Sequence, residues 1–263
     1  MSVRHVIIAA LFLMTVNLAW GAAPVDVYEE HSLTYTGGDY KDEVFQYRLL
    51  KPVKIEAGKT YPVVLFLHGA GERGNDDKAQ LKFFPTWMAE DKNREKYPCF
   101  VIAPQCRTGK KWADTDWSKK TGEPMTDKPS DQMQVALAAL DSVIETQPVD
   151  KSRLYLTGLS MGGYGSWDLA ARQPDRFAAV VPICGGGDPK QAAKLTKLPI
   201  WAWHGDKDPA VPVGRSREMI EAIKAAGGEP KYTELPGVSH DSWTAAYNGP
   251  DNVLGWLFEQ KKK

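Results

Sequence analysis

The sequence has no excess of either charge. Lysine and arginine together number 33, aspartate and glutamate together also number 33, and the formal net charge is therefore zero. A chain without a basic surplus lacks the electrostatic footprint that nucleic acids and anionic lipids recognise. We therefore expect no nucleic-acid partner and no electrostatic attachment to a membrane surface.

Cysteine is also scarce, with three residues at Cys99, Cys106 and Cys184. An odd number of cysteines cannot pair completely within one chain. Cys99 and Cys106 bracket the predicted strand CFVIAPQC, whose extended length is roughly 23 Å, whereas a disulfide needs Cα atoms within about 7 Å of each other. We expect the cysteines to be small buried apolar residues rather than a disulfide framework.

The one long apolar run is at the N-terminus. A basic residue precedes the apolar run from Val6 to about Leu18, and small residues follow at Ala19 and Gly21, the spacing of a cleavage site. The run is shorter than the roughly 20 residues of a transmembrane helix, and the pattern is typical of a secretory signal peptide. We predict a signal peptide over residues 1–22, one folded domain over residues 23–263, and a secreted or periplasmic protein without stable membrane insertion after cleavage.

The rest of the chain alternates short apolar runs with helical patterns. Runs such as PVVLFLHG are apolar at nearly every position, as in strands buried on both faces. Alternating strands and helices are typical of an α/β fold, a mostly parallel central sheet with helices on both faces. The predicted strands are VYEEHSLTY, EVFQYRLL, PVVLFLHG, CFVIAP, RLYLTG, AAVVPICG, PIWAWHG and KYTELPG; the predicted helices are SDQMQVALAALDSVIETQ (with Ser130 as N-cap), MGGYGSWDLAARQP, GRSREMIEAIKAAGG and DNVLGWLFEQ.

The segment TGLSMGGYGSW contains the pattern G-x-S-x-G between a predicted buried strand and a predicted helix. Such a turn brings the residues two positions before and after the serine close together, so Gly158 and Gly162 must lack side chains. The helix that follows directs its first amides at negative charge. This context predicts that Ser160 is a nucleophile on a nucleophile elbow, the alternative being a glycine-rich turn with an idle serine.

A nucleophilic serine needs a base and an oxyanion hole. Of the five histidines, His240 follows the candidate acids in the loop after the last predicted strand, which is the position of the base in the chain order Ser–Asp–His. The amide after the nucleophile, that of Met161, is one predicted oxyanion donor. The second comes from the loop HGAGERGN, with Ala70 as the first choice and Gly71 as the next.

The segment WHGDKDPAVP places His204, Asp206 and Asp208 at alternate positions, as three metal ligands or as the source of a triad acid. A glycine and a proline interrupt the strand, so the three side chains are not expected to share a face. The sequence offers no second histidine cluster to complete a metal site. We expect no metal and no cofactor. The residues by themselves leave both Asp206 and Asp208 open as the acid that orients His240.

Four motifs, HGAGERG, GLSMGGYGSW, HGDKDPAVPV and GVSHDSW, occur in this order between about Val44 and the C-terminus. Together they resemble secreted serine esterases of the α/β-hydrolase superfamily, in the group of predicted peptidases or phospholipase/carboxylesterase-like proteins, with feruloyl esterases and polyhydroxybutyrate depolymerases as neighbouring groups. The resemblance implies an α/β-hydrolase fold, Ser160 as nucleophile, His240 as base, Asp208 as acid and Ala70 as an oxyanion donor.

We therefore predict a secreted serine hydrolase that cleaves small-molecule or polymer esters through an acyl-enzyme, such as acyl or aromatic esters on polysaccharide or a polyester. Trp112 and Trp117, in the long irregular segment 107–129, and Trp243 are predicted to line the substrate cleft, the alternative being ordinary core or rim residues. Two other functions stay open: a serine peptidase of prolyl-oligopeptidase type, because the same triad cleaves amides, and a non-catalytic binding protein on a hydrolase scaffold. The sequence does not indicate an oligomeric state.

Overall fold

A single eight-stranded sheet organises residues 24–262, the part of the chain that the computed structural model describes. The predicted signal peptide lies outside these residues. The sheet order is β1-β2-β4-β3-β5-β6-β7-β8. The strands are β1 (Tyr28–Gly37), β2 (Tyr40–Leu50), β3 (Tyr61–Leu67), β4 (Phe100–Pro104), β5 (Val149–Leu159), β6 (Ala179–Ile183), β7 (Trp201–Gly205) and β8 (Lys231–Leu235).

Helices cover both faces of this sheet. No helix within residues 24–262 has the length and apolar character that crossing a membrane requires. The α-helices are α1 (Pro24–Val27), α2 (Phe84–Ala89), α3 (Asp91–Lys96), α4 (Asp131–Thr146), α5 (Met161–Arg172), α6 (Gly214–Ala225), α7 (Trp243–Asn248) and α8 (Val253–Glu259); short 3₁₀ helices span Ala70–Glu72, Ala79–Leu81 and Pro189–Leu195.

The direction of the strands fixes where a site can form. β1 pairs with β2 and β2 with β4 in antiparallel fashion, whereas β3 to β8 all run parallel. The chain places β4 on one side of β3 and β5 on the other, so the strand order changes direction at β3. Ligands bind at the carboxyl ends of parallel strands beside such a change of direction. The loops after β3 and β5 meet there.

The core has two layers because alternate residues of a strand point to opposite faces of the sheet. All of β3 is buried; Val63 and Leu65 belong to the apolar cluster that contains Met133 of α4, whereas Val64 belongs to the cluster that contains Phe84 of α2. The predicted α/β fold is confirmed, and each predicted strand lies where the sequence indicated.

Two local predictions are confirmed as well. The side chain of Ser130 accepts a hydrogen bond from the Met133 amide at 3.1 Å and caps α4. The cysteines Cys99, Cys106 and Cys184 are all unpaired and buried.

Candidate active site

Ser160 lies in the turn between β5 and α5 with a strained backbone. Its φ of 54° and ψ of −117° lie outside the helical and extended regions that residues with side chains normally adopt. A Cβ at Gly158 would come within 2.4 Å of the Gly162 carbonyl oxygen, and a Cβ at Gly162 would come within 1.8 Å of the Leu67 carbonyl oxygen. The two glycines therefore permit a turn that exposes the serine hydroxyl.

His240 and Asp208 complete a hydrogen-bonded chain with Ser160. His240 Nε2 lies 3.0 Å from Ser160 Oγ, and His240 Nδ1 lies 2.7 Å from Asp208 Oδ2. The three side chains come from the carboxyl ends of different strands, since Ser160 follows β5, Asp208 follows β7 and His240 follows β8. The order and the distances are those of a nucleophile, a base and an orienting acid.

Asp208 is held as a buried carboxylate. Its Oδ1 accepts hydrogen bonds from the Ala210 and Val211 amides at 2.8 and 2.9 Å. Burial opposes its charge, but hydrogen bonds from His204, His240 and the Val211 amide outweigh that effect and hold the pKa of Asp208 well below its usual range. The Asp208 carboxyl therefore stays ionised at neutral pH.

His204 is a contact of this site that reasoning from the sequence did not find. The side chain is fully buried, and its Nε2 lies 3.2 Å from Asp208 Oδ2 and 3.1 Å from the Val211 carbonyl oxygen. Both neighbours are acceptors, so the proton must be on Nε2. In the sequence, only its position four residues before Asp208 could have indicated this contact.

The neighbouring aspartate has another role. Asp206 Oδ1 accepts a hydrogen bond from the Gly237 amide at 2.6 Å, and so it joins the turn after β7 to the turn after β8. The two aspartates that the residues alone could not separate are therefore distinguished by their contacts: Asp208 contacts His240, and Asp206 contacts the Gly237 amide.

The two residues predicted to form the oxyanion hole lie close to Ser160 in the structure. Met161 is the first residue of α5, and Ala70 is the first residue of a 3₁₀ helix; the first amides of a helix have no partner inside it. Ala70 lines the same cleft as Ser160, and an ideal Cβ on Gly69 would lie 3.6 Å from Ser160 Cβ. Their use as oxyanion donors stays a prediction.

A cleft of about 310 Å³ opens over the hydrogen-bonded side chains. Trp117 and Trp243 line it, and the Trp243 ring meets the His240 ring edge-on at a centroid distance of 5.3 Å. Reasoning from the sequence did not select two further lining residues, Phe83 and Glu72. Burial raises the pKa of the Glu72 carboxyl. Glu72 ends a three-residue 3₁₀ helix and Phe83 directly precedes the six-residue α2, so neither has a periodic pattern that could have identified it.

The prediction that Trp112 lines this cleft is wrong. Trp112 is 1% exposed and belongs to the apolar core. Its Nε1 donates a hydrogen bond to the His68 carbonyl oxygen at 3.0 Å, and its ring packs edge-on against the His68 ring. An indole buries a large apolar area and needs one acceptor for its N–H group, and the core at the end of β3 supplies both.

One set of side chains has the spacing of a metal site. Cys184 Sγ, an Asp208 oxygen and a His240 nitrogen lie within 4.8 Å of one another. A cysteine binds metal as the thiolate, but burial raises the pKa of Cys184 far above its usual range. Its Sγ instead accepts a hydrogen bond from the Ser160 amide at 3.3 Å. A protonated Cys184 thiol that contacts the Ser160 amide stabilises the serine turn and is a poor metal ligand.

The chain also matches known proteins. The model of the dienelactone hydrolase family matches residues 96–250, which is more than half of the chain. The chain belongs to this family. Membership in the dienelactone hydrolase family confirms the predictions of an α/β-hydrolase fold and of a carboxylic ester hydrolase. The matched range contains Ser160, Asp208 and His240.

Individual relatives are named as a feruloyl esterase, a polyester depolymerase and a thermostable esterase. "Probable feruloyl esterase C" from Aspergillus terreus is 24% identical over 234 residues, covering 82% of this chain and 79% of the relative. "Poly(3-hydroxyalkanoate) depolymerase C" from Paucimonas lemoignei is 31% identical over 132 residues, covering 48% of this chain and 28% of the depolymerase. The crystal structure of a thermostable esterase superposes with a TM-score of 0.80 and 32% identity, over 91% of this chain and 64% of that one. This chain therefore spans less than two thirds of that esterase.

Proposed function

We propose that this protein hydrolyses carboxylic esters through a covalent acyl-serine intermediate formed on Ser160. The observation that supports this mechanism is the continuous hydrogen-bonded chain from Ser160 Oγ through His240 to Asp208. A positioned nucleophile, base and acid beside an open cleft are the parts that acyl transfer needs.

In the proposed mechanism, Ser160 Oγ attacks the ester carbonyl carbon while His240 Nε2 takes the hydroxyl proton. Asp208 holds His240 Nδ1 and stabilises the imidazolium. The negative charge on the carbonyl oxygen is held by the amides of Met161 and Ala70. His240 then donates its proton to the departing alcohol oxygen, and the acyl-enzyme forms. A water molecule then attacks the acyl carbon while His240 takes its proton. The bond to Ser160 Oγ breaks, the carboxylic acid leaves, and His240 returns the proton to Ser160.

We propose that the substrate is a small-molecule or polymer ester whose acyl group is aromatic or otherwise flat and apolar. Trp117 and Trp243 offer aromatic surface on the lining of the cleft, and such surfaces favour flat apolar groups. The names of the feruloyl esterase and depolymerase relatives are in line with acyl or aromatic esters on polysaccharide, or with a polyester.

The decisive experiment compares the wild-type protein with Ser160→Ala on p-nitrophenyl esters of increasing acyl size. We expect kcat to fall on the order of 10⁴-fold or more in the variant, because the remaining groups cannot supply a nucleophile. A fluorophosphonate probe should label the wild-type protein and not the variant. Full activity in Ser160→Ala would overturn the mechanism.

The same panel separates the other functions. Peptide p-nitroanilides turned over faster than every ester would indicate a peptidase. A folded protein that neither hydrolyses any ester nor reacts with the probe would indicate a binding protein on a hydrolase scaffold.

We also propose that residues 1–22 are a signal peptide, that residues 23–263 form one catalytic domain, and that the mature enzyme is secreted or periplasmic. The basis is the sequence pattern, an apolar run followed by small residues at a cleavage spacing. N-terminal sequencing of the exported protein should find a start directly after Gly21 or at one of the next two residues. A protein that keeps residues 1–22 in the cytoplasm would contradict the proposal.

A further inference from the structure

Arg215, in the first turn of α6, carries a charge that is buried away from solvent. Its side chain is 1% exposed, and its hydrogen-bond partners within residues 24–262 are main-chain carbonyls rather than carboxylates. Taking a guanidinium out of water without a counter-ion is unfavourable. The segment that carries these two carbonyls therefore offers an explanation for the buried charge.

Both carbonyls belong to the segment 107–129, which contains no helix or strand. Arg215 Nη1 donates to the Lys119 carbonyl oxygen at 3.2 Å and lies 3.5 Å from the Asp116 carbonyl oxygen. These two carbonyls stand on either side of Trp117 in the chain. Arg215 thus holds the part of the segment that carries the tryptophan.

Trp117 in turn forms part of the cleft lining together with Ser160 and His240. Its ring stacks on the Tyr164 ring at a centroid distance of 6.4 Å and an interplanar angle of 28°. The Arg215 guanidinium carbon lies 5.2 Å from the same Tyr164 ring, within the range of a cation–π interaction. Trp117 and Arg215 therefore share Tyr164 as their support, one turn after the nucleophile.

Other side chains hold the rest of the segment. Glu218 of α6 accepts a hydrogen bond from the Gly122 amide at 2.6 Å, and Asp188 accepts one from the Met125 amide at 3.1 Å. Around Trp117 itself, the Asp116 amide also donates to Glu123 at 3.1 Å, and Lys111 Nζ lies 4.9 Å from the Trp117 ring centroid. Loss of Arg215 should therefore loosen the main chain around Trp117, while residues 122–125 keep their own contacts.

We propose that Arg215 is a positioning residue that selects the acyl group, because it holds Trp117 against Tyr164 at the border of the cleft. The inference rests on the esterase function proposed above. Arg215 does not line the cleft, so it acts on the substrate only through Trp117. Acyl groups with a flat face, which can stack on Trp117, depend on this contact; an acetyl group does not.

The test is Arg215→Met, which keeps a long side chain, removes every donor and leaves no buried charge behind. Kinetics with p-nitrophenyl cinnamate and p-nitrophenyl acetate should show a selective rise in KM for the cinnamate of about two- to tenfold, the size of one aromatic contact. The kcat values for both esters should change much less. Glu218→Ala is the matched control, because it removes an anchor of the same segment from the same helix and should not change the KM ratio.

A double variant tests whether Arg215 acts through the tryptophan. In a Trp117→Ala background, Arg215→Met should have no further effect on the KM for the cinnamate. Equal losses on both esters, or a full Arg215 effect without Trp117, would overturn the proposal. Arg215→Gln replaces Arg215→Met if thermal unfolding shows that the methionine variant does not fold, and an unchanged KM ratio in folded Arg215→Gln also overturns it. Failure of the esterase proposal itself would be visible separately, as a wild-type protein that hydrolyses neither ester.

Discussion

Asp206 and Asp208 lie two residues apart in one turn, yet their carboxylates have different surroundings. Asp208 accepts two main-chain amides on one oxygen and faces two histidines with the other. Asp206 binds the Gly237 amide at the edge of the site. The difference is one of position, since the side chains are chemically the same.

This contrast gives a prediction at the residue scale. Asp208→Asn should lower kcat on the order of 10⁴-fold, because the amide no longer holds His240 in the tautomer that accepts the Ser160 proton. Asp206→Asn keeps an acceptor for the Gly237 amide and should leave kcat within about twofold, as expected for a change away from the reacting groups. Steady-state kinetics of the two folded variants provide the measurement. Similar losses in both would contradict the assignment of the acid.

Single residues of the site were predictable where chain order limited the choice. His240 could be selected because it alone follows the candidate acids. Trp112 and Trp117 lie in the same irregular segment with nothing in the sequence to separate them, although one is in the core and the other lines the cleft. The contact between His204 and Asp208 depends on how the chain turns after β7, which composition does not reveal.

At the scale of elements, the turn between β5 and α5 depends on close main-chain approach. Gly162, in the first turn of α5, lies against the last carbonyl of β3. The same contact brings the helix that begins after Ser160 next to the loop that contains Ala70. The positions of the proposed nucleophile and of its predicted oxyanion donors thus depend on one helix–strand contact.

Gly162→Ala should therefore destabilise the whole domain. Its methyl group would meet main-chain atoms that cannot move like a side chain, with the Leu67 carbonyl oxygen 1.8 Å away, and overpacking of this kind costs about 1–3 kcal/mol or more. We expect a drop in Tm of at least several degrees in a thermal unfolding experiment, at about 2–4 °C per kcal/mol. Gly71→Ala is the control for stability, because nothing lies within 4 Å of the added Cβ. Equal Tm values for the two variants would contradict the packing argument.

The elements that the sequence predicted well are those with a strong pattern. Apolar runs identified inner strands such as β3 and β4, and α4 and α5 had either an apolar stripe or the serine turn before them. The helices α2, α3 and α7 were not predicted; each has six residues. Fewer than two turns cannot show a helical period. Packing against the sheet and neighbouring loops decides their structure.

For the whole molecule, the histidine after β3 links stability to pH. His68 is buried, its Nε2 accepts a hydrogen bond from the Cys106 amide at 2.9 Å, and its Nδ1 lies 2.7 Å from the Gly69 carbonyl oxygen. These partners require the neutral ring with the proton on Nδ1. Burial lowers the pKa of His68 to about 4.

In the unfolded chain His68 has the ordinary pKa of about 6.5, whereas in the folded chain its pKa is about 4. The contribution of this group to stability is therefore complete above pH 6.5 and is lost as the pH falls from 6.5 to 4, by roughly 3 kcal/mol in total. Urea unfolding of the wild-type protein and His68→Gln at pH 7.5 and pH 4.5 measures it. The difference in unfolding free energy between them should shrink at the lower pH; a constant difference would show that His68 does not carry this dependence.

The reactivity of the three buried cysteine thiols reports on unfolding of the protein. Burial raises the pKa of the Cys106 thiol to about 12 and those of Cys99 and Cys184 further above their usual range. Folded molecules thus present almost no thiolate to an electrophile, while an unfolded chain presents three ordinary thiols. A thiol-reactive dye would react only during the moments when the structure opens, and the labelling rate would measure how often each molecule does so under native conditions.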